Sequence, residues 1–482
     1  MAGRLAGVQY SRPAAVTGFD VVVVGGGTAG LTAALVARHE GASVALVERE
    51  ERIGGDCVFY GCVPSKALIE IAQTVHDGER LNAEGILDVP PRVSYAGVAA
   101  RRDRVVAEIA RDERDERFAA FGIEIVHGEA SFAGANELRV GDRTLHGKRF
   151  VLATGSEPLI PPLEGLDGVP YLTNQTVFSI GELPRRLLVL GGGSVGLELA
   201  QAFQRLGSCV TVVEMAERLL VNEEAEAGEI AQRVLVEEGV DLRLEARARA
   251  VRRESGEVVL VVGATEIRGD ALLVAVGRRG ATDGLGLERP GVELERGYVK
   301  IDKRCRTSAR HVFAAGDVTG GLQFTHVASH QGVVAGRGAA GKRAKRNERV
   351  TPSVTFLDPE IARVGLTEAG ARARYRALRV ATFPMQRVDR ARITERPVGF
   401  VKLITAPRTL LRWAGGGKLV GAQIVGPRAG ELIQECALAM QTRAFAGRLT
   451  QTIHAYPSMS VAVQQAAAQL FSLGRALVQR ND

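Results

Sequence analysis

The apolar residues of this chain fall into short runs punctuated by glycines, and two of those runs repeat. The segments "DVVVVGGGTAGLTAALVARHEGASVALVE" (20–48) and "RLLVLGGGSVGLELAQAFQRLGSCVTVVE" (186–214) align without a gap at an offset of 166 residues. Each opens with an apolar run of strand length, passes through three glycines into a helical pattern, and ends in a second apolar run closed by Glu. Further along, "VGFVKLIT" (398–405) and "KLVGAQIVG" (418–426) read as strands. "AGELIQECALAMQ" (429–441) and "SVAVQQAAAQLF" (460–471) read as helices. The stretch "RRDRVVAEIARDERDERFAAFG" (101–122) reads as one charged helix, solvated on one face. No apolar run approaches the ~18 residues of a membrane span. The opening "MAGRLAGVQYSRPAAVTG" lacks the apolar centre of a secretory signal and reads as a flexible extension.

In the repeat, Gly25, Gly26 and Gly27 meet Gly191, Gly192 and Gly193, Gly30 meets Gly196, and Glu48 meets Glu214. A G-x-G-x-x-G between strand and helix suits a dinucleotide. The first glycine permits the tight turn, the second admits a pyrophosphate, and the third lets helix and strand pack closely. The helix start adds free N–H groups and a positive dipole end. Glu48 and Glu214 each stand 18 residues after the last glycine, placed to accept from ribose hydroxyls. Two such units imply two dinucleotides. A 2′-phosphate at Glu214 would meet a carboxylate, so the second site favours NADH; Arg218, close by, leaves NADPH open.

Length then adds that 482 residues exceed a single core. A hydrophobic share of 46% and a charged share of 24% are those of an ordinary globular protein. The net charge of +7 gathers at "GKRAKRNER" (341–349) and "RARYRALR" (372–379), which read as solvated arginine-rich faces and not as a nucleic-acid surface. Five cysteines without an export signal point to a reducing cytoplasm.

Two of those cysteines stand in "GGDCVFYGCVPSKAL" (54–68). Cys57 and Cys62 could form a metal site, a structural disulfide or a redox pair. The reducing compartment argues against the second, and the lack of another Cys/His pair at zinc spacing argues against the first. On an ideal helix the two Cα atoms would stand roughly 8.6 Å apart, beyond the ~7 Å a bridge allows. A bond would therefore need a helix break, which Gly61 permits, and would be strained and reducible. Pro64 fits an early helix turn and Lys66 the helix after it. Cys209, Cys305 and Cys436 read as small buried apolar residues.

With "VLATGSEP" (151–158), "VAVGRR" (274–279), "HVFAAGDVTG" (311–320) and "HAYPSMS" (454–460) added in order, the chain from about Asp20 to Leu470 resembles the flavin-dependent pyridine nucleotide–disulfide oxidoreductases. These include dihydrolipoamide dehydrogenase, glutathione reductase and mercuric reductase. The resemblance implies an α/β fold with two Rossmann-like domains, one for FAD and one for NAD, and a C-terminal α+β dimerisation domain. It places FAD on the first fingerprint, with Glu48 at its ribose, Ala130, Thr154 and Gly155 against it, and Asp317 at its ribityl chain. The backbone around His326 would face the flavin. NADH would lie on the second fingerprint, near Gly277. Lys66, paired with Glu198, would stand beside the flavin, Cys62 would be the thiolate against it, and Cys57 the thiol that meets substrate.

The chain departs from the thiol-disulfide members at one place. They carry a His before the proline of the C-terminal motif and a Glu five residues on, donated by the partner subunit. Here Tyr456 precedes Pro457, and Val461 follows at that spacing. A phenol, with a pKa near ~10, is a poor base at neutral pH. His454 is a substitute candidate, because residues two apart on an extended segment share a side. Tyr here resembles mercuric reductase, yet neither end of the chain carries that family's further cysteines. The expected architecture is an FAD domain at 15–157 and 285–348, an NAD domain at 158–284 and an interface domain at 351–482. The expected protein is a cytoplasmic homodimer whose active site is shared between subunits and whose acceptor is a small molecule: a metal ion, a quinone or similar. A dihydrolipoamide dehydrogenase-type activity and a non-catalytic redox sensor are the alternatives.

Overall fold

A computed structural model describes residues 18–410 and 414–471. The N-terminal extension and the last residues of the interface domain lie outside the described residues. The apolar run Gly18–Val24 is the centre of a seven-stranded sheet. Val44–Glu48 and then Ile123–His127 lie parallel on one side of it and Arg143–Leu152 on the other. Val312–Ala314, 160 residues beyond the end of Arg143–Leu152, pairs in parallel with it. Both faces of this half are covered, so the strands read as unbroken apolar runs. Glu137–Val140 and Ala130–Gly134 continue the sheet as an antiparallel arm.

The helices that cover these sheets position the site. In chain order they are α1 (Thr28–His39), α2 (Gly55–Phe59), α3 (Cys62–Ala83), α4 (Tyr95–Ala110), α5 (Asp115–Ala120), α6 (Ser194–Arg205), α7 (Ala225–Glu237) and α8 (Thr325–Ala339). The charged stretch is therefore not one helix. α4 tightens into a 3-10 turn at Arg111–Glu113, Arg114 is extended with φ −95° and ψ 148°, and α5 begins anew. The run RDERDE has no apolar residue to hold one helix face against the body, and helices draw most of their stability from such a face.

α1 and α8 pack backbone to backbone. A Cβ on Gly332 would lie 2.6 Å from the Ala29 carbonyl oxygen, and one on Gly336 would lie 2.5 Å from that of Ala33. The second repeat builds a parallel sheet in the order Asp241–Arg243, Cys209–Val213, Arg186–Leu190, Ala271–Val274. Cys209 opens its strand at the surface and is exposed, against expectation, because it precedes the buried part of the run. Cys305 and Cys436 are buried, as expected. A two-stranded ribbon, Ser156–Pro158 with Arg278–Gly280, ties the first unit to the second. The C-terminal unit is a five-stranded antiparallel sheet built on 400–406 and 418–426, with the helix Ala429–Gln441 against it. No helix among the described residues is long and apolar enough to cross a membrane.

Candidate active site

Both glycine turns have the backbone that the pattern requires. Gly25 has φ +104°, and a Cβ there would sit 2.3 Å from the Ala153 carbonyl oxygen. Gly191 repeats this with φ +114° and 2.5 Å to the Ala275 oxygen. Gly30 and Gly196 each lie against the carbonyl of the first glycine, so helix and turn touch. No side chain caps α1 or α6, whose N–H groups stay free for a ligand. Gly25→Ala is expected to yield protein that purifies without its yellow prosthetic group, whereas Gly191→Ala stays yellow and loses NADH affinity. Flavin absorbance and an NADH titration read the two outcomes.

The two glutamates have a second job that the sequence reading missed. Glu48 accepts from Gly26 N at 2.7 Å and from Glu50 N at 3.0 Å. Glu214 accepts from Gly192 N at 2.6 Å and Ala216 N at 2.7 Å. Each carboxylate thus braces its own glycine turn, with lone pairs left over for a ribose. Arg218 is turned onto the carbonyls of Leu220, Val221 and Glu223.

A cavity of about 1160 Å³ begins at the first turn. It runs from Glu48 past Ala130, Thr154, Gly155 and Asp317 to Cys57, Cys62 and Lys66, and reaches Val195 and Glu198 on α6. It exceeds the ~300–1,000 Å³ of most small-ligand pockets, so it suits a long ligand such as FAD. The free start of α1 and both sulfurs line this one cavity, and Gly27 at that start is bridged to Gly54 just before α2.

The sulfur pair follows from a broken helix. α2 carries Cys57; Tyr60 and Gly61 leave helical geometry, Gly61 at φ −125° and ψ −112°, and α3 starts at Cys62. A Cβ on Gly61 would meet the Asp56 carbonyl oxygen at 2.9 Å, so the turn closes only around glycine. The two cysteines are thiols in the structure. Thr325 Oγ1, at the first residue of α8, lies 3.3 Å from each sulfur. The hydrogen bond from Cys57 pulls the Cys62 thiol down to about 6; Thr325 and the Lys66 charge help, while burial opposes them. Its place at the start of a 22-residue helix favours the thiolate further. The same bond, with burial, pushes Cys57 strongly upward. The pair is therefore one thiolate, Cys62, and one thiol, Cys57.

Lys66 reaches across to Glu198 on α6 at 2.7 Å and lies over the Phe356 ring at 4.6 Å. Glu198, 5% exposed, also accepts from Phe356 N at 2.8 Å. Asp317 accepts from Ser156 Oγ at 2.7 Å. Arg278, quoted in the sequence only as part of a motif, donates to that same Oγ at 2.7 Å and pairs with Asp56 at 3.2 Å. Burial raises the Asp56 carboxyl above its usual range, and Arg278 opposes this. Gly277, with φ +137°, lies outside the cavity, beside Leu159.

Two expected residues, His454 and Tyr456, are not brought to the sulfurs within one chain, whereas Gln323 and Thr325, on either side of Phe324 and just before His326, line the cavity. The His326 ring bonds the Pro352 oxygen at 2.9 Å and stacks on Phe324. His454 is buried against its own unit, with Nε2 3.1 Å from both Glu435 oxygens and Nδ1 2.9 Å from the Thr452 oxygen. Tyr456 is 74% exposed and donates to Asp389 at 2.8 Å. It shares its segment with Ile453, 96% exposed.

Residues 19–332 match the family model described as pyridine nucleotide-disulphide oxidoreductase, and residues 351–467 match its dimerisation domain. The chain belongs to this family: it is an oxidoreductase of a class that binds FAD, uses NAD(P)H and carries a disulfide redox centre. It is similar to mercuric reductase from Streptomyces lividans, with 38% identity over 464 residues that cover 94% of this chain and 96% of that one. It is similar also to dihydrolipoyl dehydrogenase from Thermus scotoductus, with 37% identity over 462 residues, 94% of this chain and 97% of that one. Among solved structures it resembles the Cu(II) complex of the HOCl-induced flavoprotein disulfide reductase RclA from Escherichia coli. That match has a TM-score of 0.82 and 29% identity, and it covers 92% of this chain and 98% of that one.

Proposed function

We propose that this enzyme passes electrons from NADH to the Cys57–Cys62 pair and on to a small acceptor, a metal ion such as Hg(II) or Cu(II) or a quinone, in the manner of a mercuric reductase. The observation that carries the reading is the pairing of the two thiols around Thr325 in the cavity wall, with Cys62 favoured as the thiolate. Bound FAD supplies hydride acceptance and two-electron transfer to sulfur. Residues 15–157 and 285–348 would form its domain, with the free start of α1, Glu48 and Asp317 holding it. Lys66 and Glu198 orient one another between the two dinucleotide units. Residues 158–284 would bind NADH and 351–482 the second subunit, whose Tyr456 would approach the sulfurs of the first. The similar mercuric reductases, and RclA with its copper, favour metal acceptors.

The dihydrolipoyl dehydrogenase-like relatives keep a disulfide substrate as the second reading. Against it stand the phenol at Tyr456 and the engagement of both His454 nitrogens within its own unit. An acceptor screen at fixed NADH, with Hg(II), Cu(II), a quinone and lipoamide, decides between them. Turnover with a metal or quinone that is lost in Cys57→Ser supports the first reading. Turnover with lipoamide alone supports the second, and no turnover at all supports a redox sensor. Because Glu214 faces the ribose and Arg218 is tied to carbonyls, kcat/KM should favour NADH over NADPH by about tenfold or more, the effect of ~1.4 kcal/mol. Glu214→Ala should narrow that ratio.

A further inference from the structure

The strand Phe400–Ala406 carries a lysine in a nearly apolar run, and that lysine, Lys402, is only 4% exposed. In the antiparallel sheet of the C-terminal unit Lys402 stands opposite Gln423, and Gln423 stands opposite Arg363. Residues directly opposite share a face, so the three form one polar row across three strands. Their strand neighbours Val364, Leu403 and Ile424 face the other way, into the unit's own core. The next row on the polar face, Ile361, Val425 and Phe400, packs in one cluster with Leu219 and Leu220 of the second dinucleotide unit. That unit therefore covers the polar row and must supply its partners. Lys402 Nζ lies 2.5 Å from Glu226, 3.5 Å from Glu224 and, within its own unit, 3.4 Å from Glu368. Glu224 also accepts from Glu368 N at 2.5 Å. Arg363 pairs with Glu223 at 2.9 Å.

Glu223 and Glu224 end the loop that lies beneath the second glycine turn. Leu220 N donates to the Gly192 oxygen at 3.3 Å, and a Cβ on Gly192 would lie 2.8 Å from Leu219 Cδ2. Glu223 N turns back to the Leu220 oxygen at 2.8 Å. Leu220 is buried at φ +50°, a conformation that bulky residues rarely adopt and that persists only where the surroundings impose it. On one side α7 presses on this loop, where a Cβ on Gly228 would lie 2.7 Å from the Leu219 oxygen. On the other, the ion pairs of Lys402 and Arg363 hold its end. We infer that Lys402 and Arg363 are positioning residues for the nicotinamide dinucleotide: from the C-terminal unit they pin the loop that supports Gly192, and so set the affinity of a turn that belongs to another unit. The inference rests on the reading of the second glycine turn as the NADH site. Removal of Lys402 leaves Glu224, 6% exposed, beside Glu226 and Glu368 without the cation that joins them. Like charges at that depth repel, and the end of the loop moves.

The test is the NADH dependence of flavin bleaching in the FAD-loaded enzyme, read by anaerobic stopped flow, which separates an apparent Kd from a limiting rate. In Lys402→Met the apparent Kd is expected to rise roughly tenfold, with the limiting rate and the flavin content unchanged. Lys402→Arg keeps the charge and should retain most of the affinity. Arg363→Met, at the less buried end of the row, should raise the Kd as well, and it carries the test alone should Lys402→Met fail to fold. An unchanged Kd in the variants that fold overturns the inference. So does a parallel fall in flavin content or in the limiting rate, which marks a general structural role. Failure of the NADH reading itself shows separately, as an apparent Kd that Glu214→Ala and Gly191→Ala leave unaltered.

Discussion

Cys62→Ser is expected to abolish acceptor reduction, by roughly 10³-fold or more, while NADH still bleaches the bound flavin. The argument is positional. Cys62 is the first residue of α3, it receives the hydrogen bond of Cys57, and it opens into the cavity from Thr325 to Lys66. Serine keeps the shape but neither forms a disulfide nor ionises near neutral pH. In the two-electron-reduced native enzyme the thiolate should build up as pH rises through about 6, against ~8.5 for a free cysteine. Below that midpoint the thiol form takes over, and the long-wavelength absorbance of thiolate against flavin should fade with it. Thr325→Val should move the midpoint upward, and Thr325→Ser should hold it. A long-wavelength band that persists in Cys62→Ser would refute the assignment of that sulfur.

Lys66→Met carries the second large effect. Its partner Glu198 has a side chain only 6% exposed, so the substitution leaves a buried carboxylate with one backbone hydrogen bond, from Phe356. An unsatisfied buried group of this kind costs about 1–3 kcal/mol, visible as a lower Tm. The Lys66 charge also helps hold Cys62 as thiolate, so the thiolate midpoint should rise in the same variant. Flavin reduction by NADH should slow, because the pair spans α3 and α6, the helices of the two dinucleotide units. Glu198→Gln keeps a hydrogen-bond partner for Lys66 and should lose less stability. Thermal unfolding and stopped-flow bleaching separate the two contributions.

Much of this was legible because the repeat is dense in signals. Strand, glycine turn, helix and terminal Glu recur in register, and each backbone feature they call for is present at Gly25 and Gly191. Lys66 and Glu198, 132 residues apart, meet as the motifs imply. What stayed hidden is what folding brings together from segments with no shared pattern. Thr325 was passed over for its neighbour His326, since nothing local says which side of a helix start faces two sulfurs 263 and 268 residues away. Arg278 joins Asp56 and Asp317 across the interdomain ribbon in the same way. The turn at Arg114 was lost because charge runs have no period.

The seam between α1 and α8 has a consequence for how this enzyme can change. α1 rises from the turn of the first dinucleotide unit, and α8 begins at the hydroxyl that touches both sulfurs. Nothing but bare backbone separates them at Gly332 and Gly336. One methyl at either position would wedge the Thr325 hydroxyl away from the first glycine turn, so a substitution well away from any reacting atom would disturb the setting of the sulfurs while leaving both cysteines intact.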